Sequence, residues 1–266
     1  KLRELSIGGV IKYIKLNNLT DPIVPLPSIE EQKRIVKILD EADALRQKRK
    51  KAIELLDEYL KSVFLDMFGD PLKNPKKWKT ENICDIVEKI LNETPKNNPT
   101  KIYSYIDISC LDNNSKQIIR INEINGKKAP SRARQLIELN DVLVSTVRPN
   151  LNAVAIVREN YSNPIASTGF CILRADIKKI NYEYLFKVCN STSFIDALVK
   201  MVRGANYPAV SDKLIKSLII GVPPIELQNK YSEIVDKTNL LKQKMLVQSE
   251  EIEMQFQALM QKSFKS

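Results

Sequence analysis

One short pattern occurs twice in this chain, 196 residues apart, and a long heptad stripe follows it each time. In Pro25-Leu26-Pro27-Ser28-Ile29-Glu30-Glu31-Gln32, the residues Pro27, Ile29, Glu30 and Gln32 recur as Pro223, Ile225, Glu226 and Gln228. At the same offset Asp40 falls on Asp236, Leu45 on Leu241, Lys48 on Lys244 and Phe68 on Phe264, with Gly8 on Gly204 upstream. Such self-similarity marks one duplicated unit, present once whole and once in part.

Each copy has the same physical layout. Prolines bar a helix upstream, since they lack a donor and push the preceding residue out of the α region. Apolar residues then recur at heptad spacing. In the first copy Ile35, Ile38, Ala42, Leu45, Ala52, Leu56, Tyr59 and Val63 take a and d positions, with Leu39, Ile53, Leu60 and Met67 beside them. In the second copy Tyr231, Ile234, Leu241, Met245, Ile252 and Leu259 do so, flanked by Val235 and Phe256. A stripe sustained for about five heptads predicts a long helix packed on another. The expected pairing residues are Ile35, Ile38, Ala42, Leu45, Leu56 and Val63, facing Ile234, Leu241, Met245, Ile252 and Leu259. A helix of this length spans roughly 58 Å, which suits a spacer and docking platform better than a mere buttress.

Between the helices the pattern changes. Gly69-Asp70-Pro71 through Asn74-Pro75 ends the first one. Strands are predicted at residues 102–106, 141–145, 153–157 and 170–173, and a helix over 182–202. The expected fold is α+β: a mixed α/β domain flanked by two long heptad-type helices that form a coiled coil. Its boundaries fall at a tail of residues 1–22, a first helix segment 23–69, the domain 70–218 and a last helix segment 219–266.

Charge separates these parts. The net charge is +10, yet residues 30–68 balance to zero and residues 226–264 to −1, while residues 69–225 carry +8. A polyanion is the natural partner for such a middle domain, through release of condensed counterions. Histidine is absent, which removes Ser-His-Asp and Cys-His catalysis and every imidazole zinc site. Cys84, Cys110, Cys171 and Cys189 form no C-x-x-C pair and read as reduced, buried thiols of a cytoplasmic protein, with no metal site. No run reaches the ~18 apolar residues of a membrane helix, so no membrane association is expected. A first residue of Lys rather than Met is expected of a trimmed chain or of an internal fragment.

The segments PLPSIEEQ and GVPPIELQ, each entering a heptad helix, resemble the central and C-terminal regions of type I restriction-modification specificity subunits. Between them SRARQLIELNDVLVSTVRPNLNAVAIV, ASTGFCILRA and RGANYPAVSDKLIKSLIIGVPP are similar to a target recognition domain of that family. The resemblance implies a domain that reads half of a split duplex DNA site. It implies two antiparallel helices that set the spacing, with methyltransferase subunits docked on the assembly and a restriction subunit joined through it. It also implies that S-adenosylmethionine, ATP and magnesium belong to those partners, so no cofactor is expected here. Only one recognition domain is complete, since residues 1–22 match just the end of another. The chain is therefore either part of a two-domain subunit or a natural half-subunit that forms a homodimer.

Four loops of the basic domain carry chemistry suited to DNA. Lys127 and Lys128, followed by Ser131, Arg132 and Arg134, concentrate cations and a hydroxyl. Arg148, Asn150 and Asn152 follow a strand; Arg matches guanine O6 and N7, and Asn matches adenine N6 and N7. Ser167 and Thr168 precede a Gly that permits close backbone approach. Arg203, Asn206 and Tyr207 combine a cation, an amide and a phenol. The Thr168-Gly169 and Gly204-Ala205 pairs read equally as packing turns.

Catalytic alternatives find little support. No Asn- or Asp-Pro-Pro-aromatic loop and no Gly-rich cofactor turn occurs, as an amino-methyltransferase would require, and no P-loop is present. Glu31-Gln32-Lys33 reads E-x-K, part of a nuclease signature, but it opens a helix and is expected to be a helix-start charge pair. A coiled-coil adaptor that binds only protein is the third class; the net +8 of the middle domain argues against it.

Overall fold

The two repeated segments perform the same local act. In a computed structural model describing residues 13, 26–202 and 208–263, helix α1 spans Ile29–Phe68 and helix α6 spans Ile225–Ser263. Gln32 Nε2 donates to the Pro27 carbonyl at 2.8 Å, and Gln228 Nε2 donates to the Pro223 carbonyl at 2.7 Å. Each glutamine thus folds back over the helix entry and satisfies a carbonyl that the prolines leave outside the helical ladder. At α1 the Ser28 hydroxyl also accepts from Glu31 N, and Glu30 and Glu31 sit where the helix dipole favours anions. Glu31 is paired with Arg34 at 2.7 Å, which holds its carboxyl below the usual range, so the E-x-K tripeptide is part of a helix start.

The chain divides into two units, one comprising 1–55 with 242–266 and the other Leu56–Leu241. In the first, the covered positions of α1 include Ile35, Leu39, Ala42, Arg46, Arg49 and Ile53, and those of α6 include Met245, Ser249, Ile252, Phe256 and Leu259. Their three-four spacing is that of a helix pair. Of the expected pairing residues Ile35, Ala42, Met245, Ile252 and Leu259 are covered here, and Leu56, Val63 and Ile234 in the second unit; Ile38 and Leu45 are exposed, and in the second unit so is Leu241. The reason lies at Arg46. Its guanidinium reaches Glu253 at 2.6 Å and lies 4.2 Å from the Phe256 ring centroid, so an arginine occupies the seam and Leu45 turns outward. Arg46 facing Glu253 here, and Phe64 facing Tyr231 in the second unit, make the pair antiparallel.

The second unit is built on a four-stranded sheet ordered β2-β11-β8-β9, from Val87–Glu88, Phe170–Ala175, Val142–Ser145 and Val154–Ile156. Both of its faces are buried, which explains the unbroken apolar runs. Val142, Val144, Val154, Ile156, Cys171 and Leu173 point to one side. They meet helices α3 (Tyr182–Cys189), α4 (Thr192–Met201) and α5 (Asp212–Lys216) and the adjoining ends of α1 and α6. Leu143, Ala155, Phe170 and Ile172 point to the other side, against Ile106, Ile137 and Ala166. Those residues belong to or adjoin a second sheet, ordered β6-β3-β10-β7, from Asn122–Asn125, Ile102–Ile106, Pro164–Ser167 and Ala133–Leu136. A helix α2 (Ile83–Ile86) and two small pairings complete the unit: β1 (Lys79–Asn82) with β12 (Ile219–Val222), and β4 (Leu111–Asp112) with β5 (Gln117–Ile118).

Four rings join the helices to this framework. Phe64 and Phe68 of α1, Tyr184 of α3 and Tyr231 of α6 lie with centroids 4.9–5.5 Å apart. The Tyr184 hydroxyl donates to the Gly221 carbonyl at 2.6 Å. Beyond them α1 stops at Gly69, whose φ of +73° only glycine adopts at low cost, and the Trp78 indole donates to the Phe68 carbonyl at the helix end at 3.0 Å.

Several expectations need correction. The single helix over 182–202 is two, because Ser191 caps the second one by accepting from Phe194 N. Cys84 is exposed rather than buried, being on the outer side of the short helix α2; all four thiols are unpaired. The expected tail at residues 1–22 lies outside the described residues apart from Tyr13.

Two expected outcomes follow from this packing. Phe68→Ala should lower unfolding free energy by about 3–5 kcal/mol, the range for deleting a buried ring, measured by urea denaturation. Leu60→Glu, at a buried seam position, should destabilise by several-fold more than Leu45→Glu, which should shift stability by no more than about 0.5 kcal/mol. Equal melting temperatures for the two glutamate variants would show that the seam is misassigned.

Candidate nucleic-acid interface

Three chain segments leave the two sheets of the second unit and meet at a common set of backbone hydrogen bonds. The turn after β10, Ser167 to Phe170, takes Thr168 N to the Arg132 carbonyl at 2.9 Å. Thr146, just after β8, donates through both its amide and its hydroxyl to the Gly169 carbonyl, each at 2.9 Å. Val210 N then donates to the Thr146 carbonyl at 2.9 Å, and Arg148 N to the Pro208 carbonyl at 2.8 Å. Residues 131–134, 146–152, 167–170 and 208–210 therefore form one continuous surface.

The turn is held from beneath. Gln135 is buried, and its amide donates to the carbonyls of Ser167 and Phe170 at 2.9 and 2.8 Å. Ser167 is buried as well, and its hydroxyl accepts from Gly169 N. Thr168 is the exposed member. Beside it lies a cleft of about 410 Å³ lined by Asn92, Arg134, Gln135, Thr168, Phe170 and Asp212. Burial raises the Asp212 carboxyl above its ordinary range. Arg134 is half-buried and committed to the Ser131 carbonyl at 3.0 Å and the Thr94 hydroxyl at 2.6 Å. Arg132 and Ser131 are exposed.

The loop Arg148 to Asn152 is more unusual. Arg148 (φ 49°, ψ 61°) and Asn152 (φ 48°, ψ 47°) both adopt the left-handed conformation and bracket a 3-10 turn, Pro149–Leu151. Such backbone costs about 1 kcal/mol or more at a non-glycine residue, and it persists only where surrounding contacts over-determine it. Here Leu151 N and Asn152 N donate to the Arg148 and Pro149 carbonyls at 2.9 Å, closing the turn. Arg148 and Asn150 are exposed; Asn152 is half-buried, with its side-chain oxygen buried and unpartnered among the described residues. The Asn152 carbonyl accepts from Lys116 Nζ, whose ammonium burial pushes below the ordinary lysine range.

Lys127 and Lys128 are exposed on the 3-10 turn Gly126–Lys128. Gly126 packs so tightly that an added Cβ would sit 2.2 Å from the Asn98 carbonyl oxygen. Thus Arg132, Arg148, Asn150 and Thr168 are exposed on the shared surface, whereas Arg134, Asn152 and Ser167 serve mainly in holding it. Arg203, Asn206 and Tyr207 lie outside the described residues. Lys116, Gln135, Thr146 and Asp212 were not signalled by sequence, because each acts through a partner remote in the chain. Among the described residues no group of His, Cys, Asp or Glu is placed to hold a metal, and no helix is long and apolar enough to cross a membrane.

The chain matches the type I restriction modification DNA specificity domain over residues 1–55 and 75–252. It is 22% identical over 263 residues to the type I restriction enzyme MjaIX specificity subunit of Methanocaldococcus jannaschii, covering 88% of this chain and 58% of that protein. It therefore spans little more than half the length of that relative. The crystal structure of the HsdS subunit from Thermoanaerobacter tengcongensis superposes with a TM-score of 0.56 at 33% identity, over 65% of this chain and 44% of that one. The S subunit from M. genitalium shares the fold over 99% of this chain and 68% of that one, with a TM-score of 0.52 at 16% identity. With most of its length matched, the chain belongs to the type I restriction modification DNA specificity domain family.

Proposed function

We propose that this chain is the part of a cytoplasmic type I restriction-modification specificity subunit that reads one half of a bipartite duplex DNA site, without a catalytic centre of its own. The observation that carries this reading is the convergence of Arg132, Arg148, Asn150 and Thr168 on one hydrogen-bonded surface of a domain with net charge +8. Arg148 and Asn150 stand on a rigid turn and are suited to base edges, whereas Arg132, Lys127 and Lys128 are suited to phosphates.

The helices carry the remaining roles. Exposed Val36, Leu45 and Leu55 on α1, and Leu246, Val247 and Met254 on α6, offer apolar positions to methyltransferase subunits. A restriction subunit joins through that assembly, and S-adenosylmethionine, ATP and magnesium act in the partners. The Gln32–Pro27 bond repeats the Gln228–Pro223 bond, and in the second copy Gln228 also accepts from Asn181 N of the recognition domain at 2.8 Å. The start of α1 is accordingly the seat for a second recognition domain, from the same subunit or from another copy.

Selection from a randomised duplex library should enrich a short motif, with affinity falling steeply as salt rises. Arg148→Ala should cost about 1–3 kcal/mol on that motif and relax one base position, while Arg132→Ala should weaken all duplexes alike and lower the salt slope by about one. Both variants should melt with the parent. An unselective, salt-insensitive parent would eliminate this reading in favour of a protein-only adaptor.

A further inference from the structure

The geometry points to Lys116 as a positioning residue for sequence discrimination: its ammonium pins the Arg148–Asn152 loop in the conformation that presents Arg148 and Asn150. This rests on the DNA-reading surface proposed above and assigns a part to a residue that is distant from it in sequence.

Lys116 ends the tight hairpin between β4 and β5. Asp112 organises that hairpin, accepting from Asn114 N at 3.2 Å, Ser115 N at 3.0 Å and the Ser115 hydroxyl at 2.6 Å, while Lys116 N returns to the Asp112 carbonyl at 2.9 Å. The last loop residue has φ +58°, a left-handed position that hairpins usually fill with glycine or asparagine. A lysine there is locally unfavourable, so the hairpin's own folding does not account for it.

The side chain does. Its Nζ donates to the carbonyl of Asn152, the left-handed residue that closes the Arg148 loop. That carbonyl also accepts from Val154 N at 3.1 Å, the first residue of β9. The lysine is half-buried, so its ammonium is not spread into solvent as an ordinary surface cation would be. Two left-handed non-glycine residues, Lys116 and Asn152, thus meet through one charge-assisted bond, and a third, Arg148, begins the loop that Asn152 closes. The opposite side of the loop is tied by the Arg148–Pro208 bond and by the bridge between Val147 and Ala209. The loop is clamped at both ends, and its tip is left exposed.

Lys116→Gly tests this cleanly, because glycine relieves the left-handed turn while removing the ammonium; the variant should be at least as stable as the parent. Amide hydrogen exchange on the full chain should then speed up at Leu151, Asn152 and Val154. On the motif enriched by the parent, the affinity ratio against a scrambled duplex should fall by about tenfold, with scrambled-duplex affinity and salt slope unchanged. Lys116→Arg should retain most of both properties. Unchanged exchange together with an unchanged ratio overturns the proposal. A salt slope reduced by about one on both duplexes overturns it too, by making Lys116 a phosphate contact. If the parent enriches no motif, the DNA reading fails, and the exchange comparison alone decides whether Lys116 fixes the loop.

Discussion

Four clustered aromatic rings are the point on which the second unit depends. Phe64 and Phe68 come from the end of α1, Tyr231 from the first turns of α6 and Tyr184 from α3, so three helices meet at centroid distances typical of favourable tilted and edge-on pairs. The chain order makes this demanding. More than a hundred residues separate Phe68 from Tyr231, and the whole domain is folded between them. Closing the cluster fixes where that domain starts and ends. The Tyr184 bond to Gly221 and the Trp78 bond to Phe68 then secure the two chain crossings on either side.

From that anchor, two-sided burial explains why the exposed loops hold their shape. The β2-β11-β8-β9 sheet is covered on one face by helices and on the other by the second sheet, leaving strand ends as the places where backbone groups must find partners outside the ladders. Those partners are supplied by side chains from neighbouring strands. Gln135 satisfies Ser167 and Phe170, and Thr146 satisfies Gly169. The surface with Arg132, Thr168 and Arg148 is therefore a consequence of satisfying buried carbonyls, and its rigidity suits recognition, which rewards groups that are already in place before binding.

The sequence disclosed periodic features and concealed relational ones. The repeat at Gln32 and Gln228 was legible because both copies solve the same helix-entry problem with the same residues. The strands at residues 142–145, 154–156 and 170–175 were legible because burial on both faces demands continuous apolar runs. The place of Arg46 in the seam was not: Leu45 and Arg46 differ by one position, and only Glu253 and Phe256 across the pair decide which faces inward. Nor was the break at Asn190-Ser191, where a serine inside an apolar pattern turns out to cap a new helix. Within the candidate site, exposed cations could be named from composition, but Arg134 and Ser167 are engaged in holding the surface, which only three-dimensional partners reveal.

The two glutamine anchors share one geometry but differ in their surroundings. Gln228 is fully buried and uses both ends of its amide, donating to Pro223 and accepting from Asn181, the cap of α3. Gln32 keeps the first bond and remains half-covered. At position 228 the second bond satisfies an amide oxygen that burial would otherwise leave without a partner, at a cost. Proline alone would suffice to bar a helix upstream, so the glutamine at each entry is accounted for by the carbonyl it satisfies. The duplicated sequence is then a duplicated helix entry, in which one glutamine-to-proline bond closes the start of each long helix.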